Sequence, residues 1–193
     1  MFEKITLKGK QVRLEPFSEK HKPGLCEAIR DGELWKLFFT LIPHPDDIDD
    51  YFEKADLTYK SGQGLAFVTI EQSSEKIVGS TRFMKANKHY KRVEIGYTFI
   101  RQSLQRSAVN TEAKFLMLAY AFENLGLNRV EFITDYFNTQ SRTAILRLGA
   151  KQEGILRNHR VMPDGRVRDS VIFSIIANEW PAVSQNLKFK LLK

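Results

Sequence analysis

Apolar and polar positions change their spacing several times along the chain, and each change predicts an element. Gln11 to Phe17 (QVRLEPF) alternates apolar and polar residues as a half-buried strand does, and Ser18 behind it offers an N-cap for a helix running toward Arg30. In HPDDIDDYFEKADLTYK, Ile48, Phe52, Ala55 and Tyr59 fall three or four residues apart, while Asp46 and Asp47 occupy a first turn, where negative charge meets the positive end of the helix dipole. That predicts a second helix. LAFVTIE and KIVGSTRFM are β-rich runs separated by QSSE, and RVEIGYTFI follows the polar stretch KANKHYK. Three strands with short connections predict an antiparallel meander. From Thr111 the period lengthens: TEAKFLMLAYAFENLGL reads as a long helix with Thr111 as N-cap, Glu112 in its first turn and Gly126 near its end. RVEFITD is a further strand, NTQSRTAILRLGA a short helix closed by Gly149, and Gly154 to Ile176 two strands around the turn PDG. Trp180, Val183 and Leu187 lie at helical spacing in NEWPAVSQNLKFKLLK, which predicts a closing helix. This succession is of the α+β class: a three-layer arrangement in which a mixed, mostly antiparallel sheet carries helices on its faces.

Length and charge narrow the picture further. A chain of 193 residues fits one domain over 1–193, and 42% apolar with 27% charged residues is a soluble composition. No apolar run approaches the roughly 18 residues of a membrane span, and MFEKITLKGK lacks the unbroken apolar stretch of a signal peptide, so a cytoplasmic protein without membrane association is expected. The single Cys26 forms no internal disulfide and reads as a buried, inert thiol. None of the four histidines reaches metal-ligand spacing such as HExxH, so no metal is expected. A net charge of +7 points to an anionic partner. Basic residues are spread along the whole chain without a recognition helix or an RNP-like motif, which weighs against nucleic acid.

The segment QRSAVNTEAK, Gln105 to Lys114, joins an apolar strand to the long helix. A helix N-terminus presents unpaired backbone N–H groups and about half a positive charge, which is a ready seat for a phosphate. The small residues Ser107, Ala108 and Val109 allow close approach of the main chain, and Arg101 and Arg106 stand where they can bond phosphate oxygens. The competing reading is an ordinary strand-to-helix connection with solvated arginines.

The order of elements, the loop ahead of the long helix, the sequences EIGY and TEAK on either side of it, and Asn138-Thr139-Gln140-Ser141 with Leu148-Gly149 together resemble the Gcn5-related N-acetyltransferase (GNAT) superfamily, especially its branch of ribosomal-protein N-terminal acetyltransferases, over about Gln11 to Ile175. The resemblance implies a GNAT-like fold whose sheet splays where RVEIGYTFI meets RVEFITD. It also implies an acetyl-CoA-dependent transfer of acetyl to a primary amine, such as a peptide N-terminal α-amine, by direct attack on the thioester. In that family a Q/R-x-x-G-x-G/A loop holds the pyrophosphate of acetyl-CoA, and Gln105, Arg106, Ser107, Ala108, Val109 and Asn110 fall on it, followed by Thr111. Ala108 and Asn110 depart from the glycine and G/A positions, and the departure disfavours a positive φ at 108. The pantetheine arm is expected on the amides of Phe99 and Ile100 as an added strand, with Asn138 on its other side.

For the chemistry, the resemblance puts Ser141 at the place of a serine that donates to the leaving thiolate, with Ile145 where many members carry a tyrosine. Glu94 is the expected base, acting through water, and strand alternation sets Glu94, Gly96 and Thr98 on one face. Asn138 also reads as a helix N-cap, and Glu94 as a surface carboxylate paired with Arg92 or Arg13. Arg157, His159, Arg160, Arg166 and Arg168 crowd the final hairpin, one face of which stands to line the acceptor cleft. The expected partners are acetyl-CoA and an amine, in a monomer or homodimer. The alternatives are a CoA-binding protein that regulates rather than catalyses and, further off, a basic nucleic-acid-binding module.

Overall fold

A computed structural model describes residues 1–192; Lys193, the last residue of the closing-helix segment, lies outside the described residues. Among them, eight strands form one sheet: β1 (Leu7–Lys8), β2 (Val12–Pro16), β3 (Leu65–Glu71), β4 (Ile77–Asn87), β5 (Arg92–Ile100), β6 (Arg129–Asp135), β7 (Lys151–Val161) and β8 (Val167–Ile176). Their spatial order is β1-β2-β3-β4-β5-β6-β8-β7, and every neighbouring pair is antiparallel except β5 with β6. Helices α1 (Lys22–Arg30) and α2 (Ile48–Lys60) separate β2 from β3, α3 (Val109–Ala119) joins β5 to β6, α4 (Thr139–Leu148) joins β6 to β7, and α5 (Trp180–Leu191) closes the chain.

The helices divide between the faces of the sheet. Leu25, Ile29, Ile48 and Phe52 of α1 and α2 cluster with Val68, Ile70 and Phe99. Met117, Leu118 and Leu187 of α3 and α5 cluster with Phe67, Phe83, Val93 and Ile95 on the opposite side. Full burial of each such side chain contributes about 1.5–3 kcal/mol, which is why the alternation of β3 and β5 and the helical spacing of α2 and α5 fix these elements where the sequence predicts them. Helix α3 begins two residues before the expected Thr111 cap. Ala108 is its N-cap residue, the first helical bond runs from Glu112 N to Ala108 O (2.9 Å), and Ser107 Oγ accepts from Val109 N (3.3 Å). A serine hydroxyl just ahead of the turn takes the capping role that Thr111 would have had.

Strand β5 is regular only in its first half. Arg82 pairs with Gly96 but Ser80 pairs with Phe99, so Tyr97 and Thr98 together oppose Thr81, and Tyr97 sits at φ 48°. This is a β-bulge, one extra residue that bends the strand. It cancels the alternation: Ile95 packs toward α3, and so do Thr98, whose Oγ1 accepts from Lys114 Nζ of α3 (2.5 Å), and Ile100. Thr98 therefore lies on the face opposite Glu94 and Gly96, contrary to the expectation from strand period. The parallel pairing of β5 with β6 covers only Arg92–Glu94 against Arg129–Glu131, whereas β6 pairs with β8 along its whole length. The expected splay between β5 and β6 is present.

Glu112 ties α3 to the first long strand. Its carboxylate accepts from the main-chain N–H groups of Lys10 (2.9 Å), Gln11 (2.7 Å) and Val12 (2.7 Å). A Cβ at Gly9 would stand 2.5 Å from Glu112 Cδ, so only glycine fits beside it. Glu112→Gln sets an NH2 group against these three donors, and it is expected to lower the unfolding free energy by about 2–4 kcal/mol. Urea denaturation checks this: the midpoint should fall with the m-value unchanged.

Candidate functional site: the cleft between the parted strands

Where β5 and β6 part, a cavity of about 590 Å³ opens, a size typical of small-molecule sites. Its walls are the second half of β5, the loop from Leu104 to Ser107, the first turns of α3 and α4, and the end of β6. At the far end the segment Leu37 to Ile42 and the hairpin residues Arg160 and Arg168 complete it. The cavity brings together Glu94, Phe99, Ile100, Gln105, Arg106, Ser107, Asn110, Thr111, Asn138 and Ser141. Ala108 and Val109 are not among the lining residues, and the Val109 side chain is buried in the core.

Strand geometry decides which main-chain groups face the gap. Arg101 N donates to Val78 O (2.8 Å), and Ser80 is paired with Phe99, so the main-chain groups of Phe99 point to β4. Those of Ile100, one residue on, point into the split. The expectation of adjacent Phe99 and Ile100 amides on one edge thus holds for Ile100 alone, because neighbouring residues of a strand face opposite edges. Gln105 bridges the mouth: its Nε2 donates to Ile100 O (3.1 Å) and its Oε1 accepts from Gln140 Nε2 of α4 (2.9 Å).

The loop turns at Arg106, which takes φ 64°, while Ala108 is right-handed helical at φ −75°. The amides of Asn110 and Thr111 precede the first i→i−4 bond and so have no helical acceptor. Asn110 Oδ1 is buried without a donor among the described residues. Ser107 Oγ donates to Leu104 O (2.7 Å), so part of the loop's polar capacity is already taken up internally. Arg101 does not serve the loop: its Nε donates to Asp31 Oδ2 (2.6 Å), a carboxylate that also binds Ser103.

On α4, Asn138 is the N-cap, its Oδ1 accepting from Ser141 N (2.9 Å), which leaves its NH2 group for other partners. Ser141 Oγ makes no hydrogen bond among the described residues and faces the cavity, and Ile145 is buried. Glu94 is only 4% exposed, and its Oε2 accepts from Lys85 Nζ (2.7 Å). It does not pair with Arg92, which bonds Glu131, or with Arg13, which bonds Glu15 and Glu75. Cys26 is buried as expected, and that burial pushes its thiol pKa up.

One lining residue escaped sequence reasoning. Lys114 of α3 is 4% exposed, with Nζ donating to Thr81 Oγ1 (2.6 Å) and Thr98 Oγ1 (2.5 Å) and with no carboxylate beside it. The sign was its position, three, four and seven residues before the apolar Met117, Leu118 and Ala121, which puts a lysine on the buried stripe.

Comparison with known proteins identifies the family and the fold. The family described as the acetyltransferase (GNAT) domain matches residues 11–151. The uncharacterised N-acetyltransferase p20 of Bacillus licheniformis is 26% identical over 177 residues, 91% of this chain and 98% of its own length. A GCN5-related N-acetyltransferase from Brucella melitensis superposes with a TM-score of 0.85 at 33% identity, covering 96% of this chain and 85% of that one. Mycobacterium smegmatis RimJ, solved in complex with CoA-disulfide, shares the fold at a TM-score of 0.80 and 19% identity, over 93% and 88% of the two chains.

Burial pushes the Lys114 pKa down from 10.5 to about 7. Between those values the unfolded chain holds a proton that the folded protein lacks, so stability rises with pH across the window, and the penalty is complete below it. Each unit of separation is worth about 1.4 kcal/mol. Lys114→Met should therefore unfold at higher urea than the parent at pH 6, with the advantage shrinking steadily as pH approaches 10. An advantage that stayed constant would mean that Lys114 remains charged throughout.

Proposed function

The chain belongs to the GNAT acetyltransferase family, and on that footing we propose that it uses acetyl-CoA to acetylate a primary amine, such as the α-amine of a peptide N-terminus. The observation that carries this reading is the continuity of the open Ile100 edge with the first turn of α3, with Arg106 between them. An extended amide-bearing arm is held by strand-like bonds to Ile100, and a diphosphate is held by the loop and first-turn amides from Arg106 to Thr111. Asn110 Oδ1, buried and lacking a donor, and the spare NH2 of Asn138 meet amide groups of the arm. When bound, acetyl-CoA supplies an acyl carbon activated as a thioester.

In this reading the residues of the chain do the rest. Glu94, buried and lining the cleft, accepts a proton from the incoming ammonium through water, with Lys85 fixing its orientation. An α-amine, whose pKa is near 7.7–8.0, needs less help to lose its proton than a lysine near 10.4. Ser141 Oγ, free of internal hydrogen bonds, donates to the thiolate as it leaves.

Calorimetry with CoA at low salt should give one site per chain, and the absence of binding would remove the basis of the assignment. Ser141→Ala is expected to reduce kcat by about 10²-fold or more while CoA affinity stays nearly constant. For Glu94→Gln the rate loss should be largest near pH 6.5 and should narrow above pH ~8, where the α-amine is neutral without help. A loss independent of pH would assign Glu94 a structural role.

A further inference from the structure

The acceptor end of the cleft carries more positive charge than the protein itself neutralises. Arg160 of β7 and Arg168 of β8 are direct cross-strand partners, and both line the cavity. Like charges placed opposite each other on an antiparallel pair are destabilising. No carboxylate is shared between them. The Arg160 guanidinium has neither hydrogen bond nor ion pair among the described residues, and Arg168, only 6% exposed, has a buried Nε with no hydrogen-bond partner. The nearest acid, Asp135, stands 3.7 Å from that Nε, beyond hydrogen-bond reach. Its carboxylate is engaged elsewhere, accepting from Arg166 Nη2 (2.6 Å) and Phe137 N (2.9 Å). Glu94, the other acid of this end, is held by Lys85.

A half-buried Arg160 without a partner, opposite a buried Arg168 whose one acid, Asp135, stands at 3.7 Å and is shared with Arg166, is the chemistry of a carboxylate receptor where both line one cavity. We propose that Arg160 and Arg168 bind a carboxylate carried by the acceptor itself, so that the preferred substrate is a primary amine with a carboxylate close to it: a free amino acid or a peptide whose first residue is acidic. This rests on the acetyltransferase reading above and adds the substrate class to it. Burial, helped by the neighbouring Arg160 and Arg166, holds the Arg168 pKa below its ordinary range against the opposing pull of Asp135 and Glu94. The amine end is then left near Glu94, which shares the cavity.

Matched acceptors test the proposal by thiol release from acetyl-CoA: peptides beginning with Asp or Glu against those beginning with Asn or Gln, and free phenylalanine against its amide and phenethylamine. The carboxylate-bearing member of each pair should show a kcat/KM at least about tenfold higher, because the neutral partner leaves buried donors unmatched. The two sets of pairs separate the peptide from the free amino acid as the source of the carboxylate. Arg160→Gln, at a half-buried position without internal bonds, should collapse the ratio toward one with CoA affinity kept within about twofold. Arg168→Lys should weaken the preference by losing the fork geometry while keeping charge. Equal or better kcat/KM for the neutral members would overturn the proposal with the acetyltransferase reading intact. If no acceptor releases thiol, calorimetry of the same pairs with the CoA-loaded protein decides the carboxylate site separately. Tighter binding of the carboxylate member, lost in Arg160→Gln, supports it, and equal binding overturns it.

Discussion

Strand β5 is asked to do two incompatible things, and the functional architecture follows from how it does both. Its first three residues hold β6 in parallel register and so join the two halves of the sheet. Its last residues stay bonded to β4, while their other edge has no strand partner. A regular strand would continue along β6 to the end. The bulge at Tyr97 and Thr98 prevents that by bending β5 and turning over its faces, and β6 is committed along its full length to β8. Main-chain groups in such a gap need partners, and this cleft supplies them only in part, which makes it the candidate binding site.

The groups around the gap are held firmly by interactions that do not use the cleft. Glu112 ties the first turn of α3 to the approach to β2, so the helix N-terminus is fixed from behind. Lys114 bonds Thr81 and Thr98 across the bulge and thereby links α3 to β4 and β5 at the point where β5 changes face. Gln105 and Gln140 close the mouth, and the Asn138 cap sets the first turn of α4 so that Ser141 looks inward. At the other end, the hairpin brings two arginines into opposition and leaves them without an acid between them. Family membership accounts for the first part of this design, the seat for a CoA-type molecule. The arginine pair lies outside that seat, and acceptor selection is the role proposed for it.

Most of the fold was legible because burial imposes period on sequence. The runs at 65–71, 92–100 and 129–135 coincide with β3, β5 and β6, and Gly149 ends α4 in the left-handed conformation at φ 101°. Of the residues the motif pointed to, Gln105, Arg106, Ser107, Asn110, Thr111, Asn138 and Ser141 line the candidate cleft, whereas Ala108 and Val109 do not. Three features were not legible. The bulge places a tyrosine at positive φ, and a tyrosine in a strand gives no warning of that. It decided the face of Thr98, and the alternation of main-chain direction left Ile100 open while turning Phe99 toward β4. The start of α3 moved because a serine ahead of the turn can cap as well as a threonine within it. Lys114 was passed over as one polar residue of a helix, although its spacing from Met117 and Leu118 placed it inside.

The central claim is that the Ile100 edge and the first turn of α3 are one continuous seat for CoA, and a crystal structure of the complex tests it most directly. The predicted result has the pantetheine amides bonded to the main chain of Ile100, and the diphosphate on the amides between Arg106 and Thr111. Gln105 should be displaced from Ile100 O or bridging to the ligand. CoA bound elsewhere, with Gln105 still on Ile100 and the α3 amides unchanged, would contradict it.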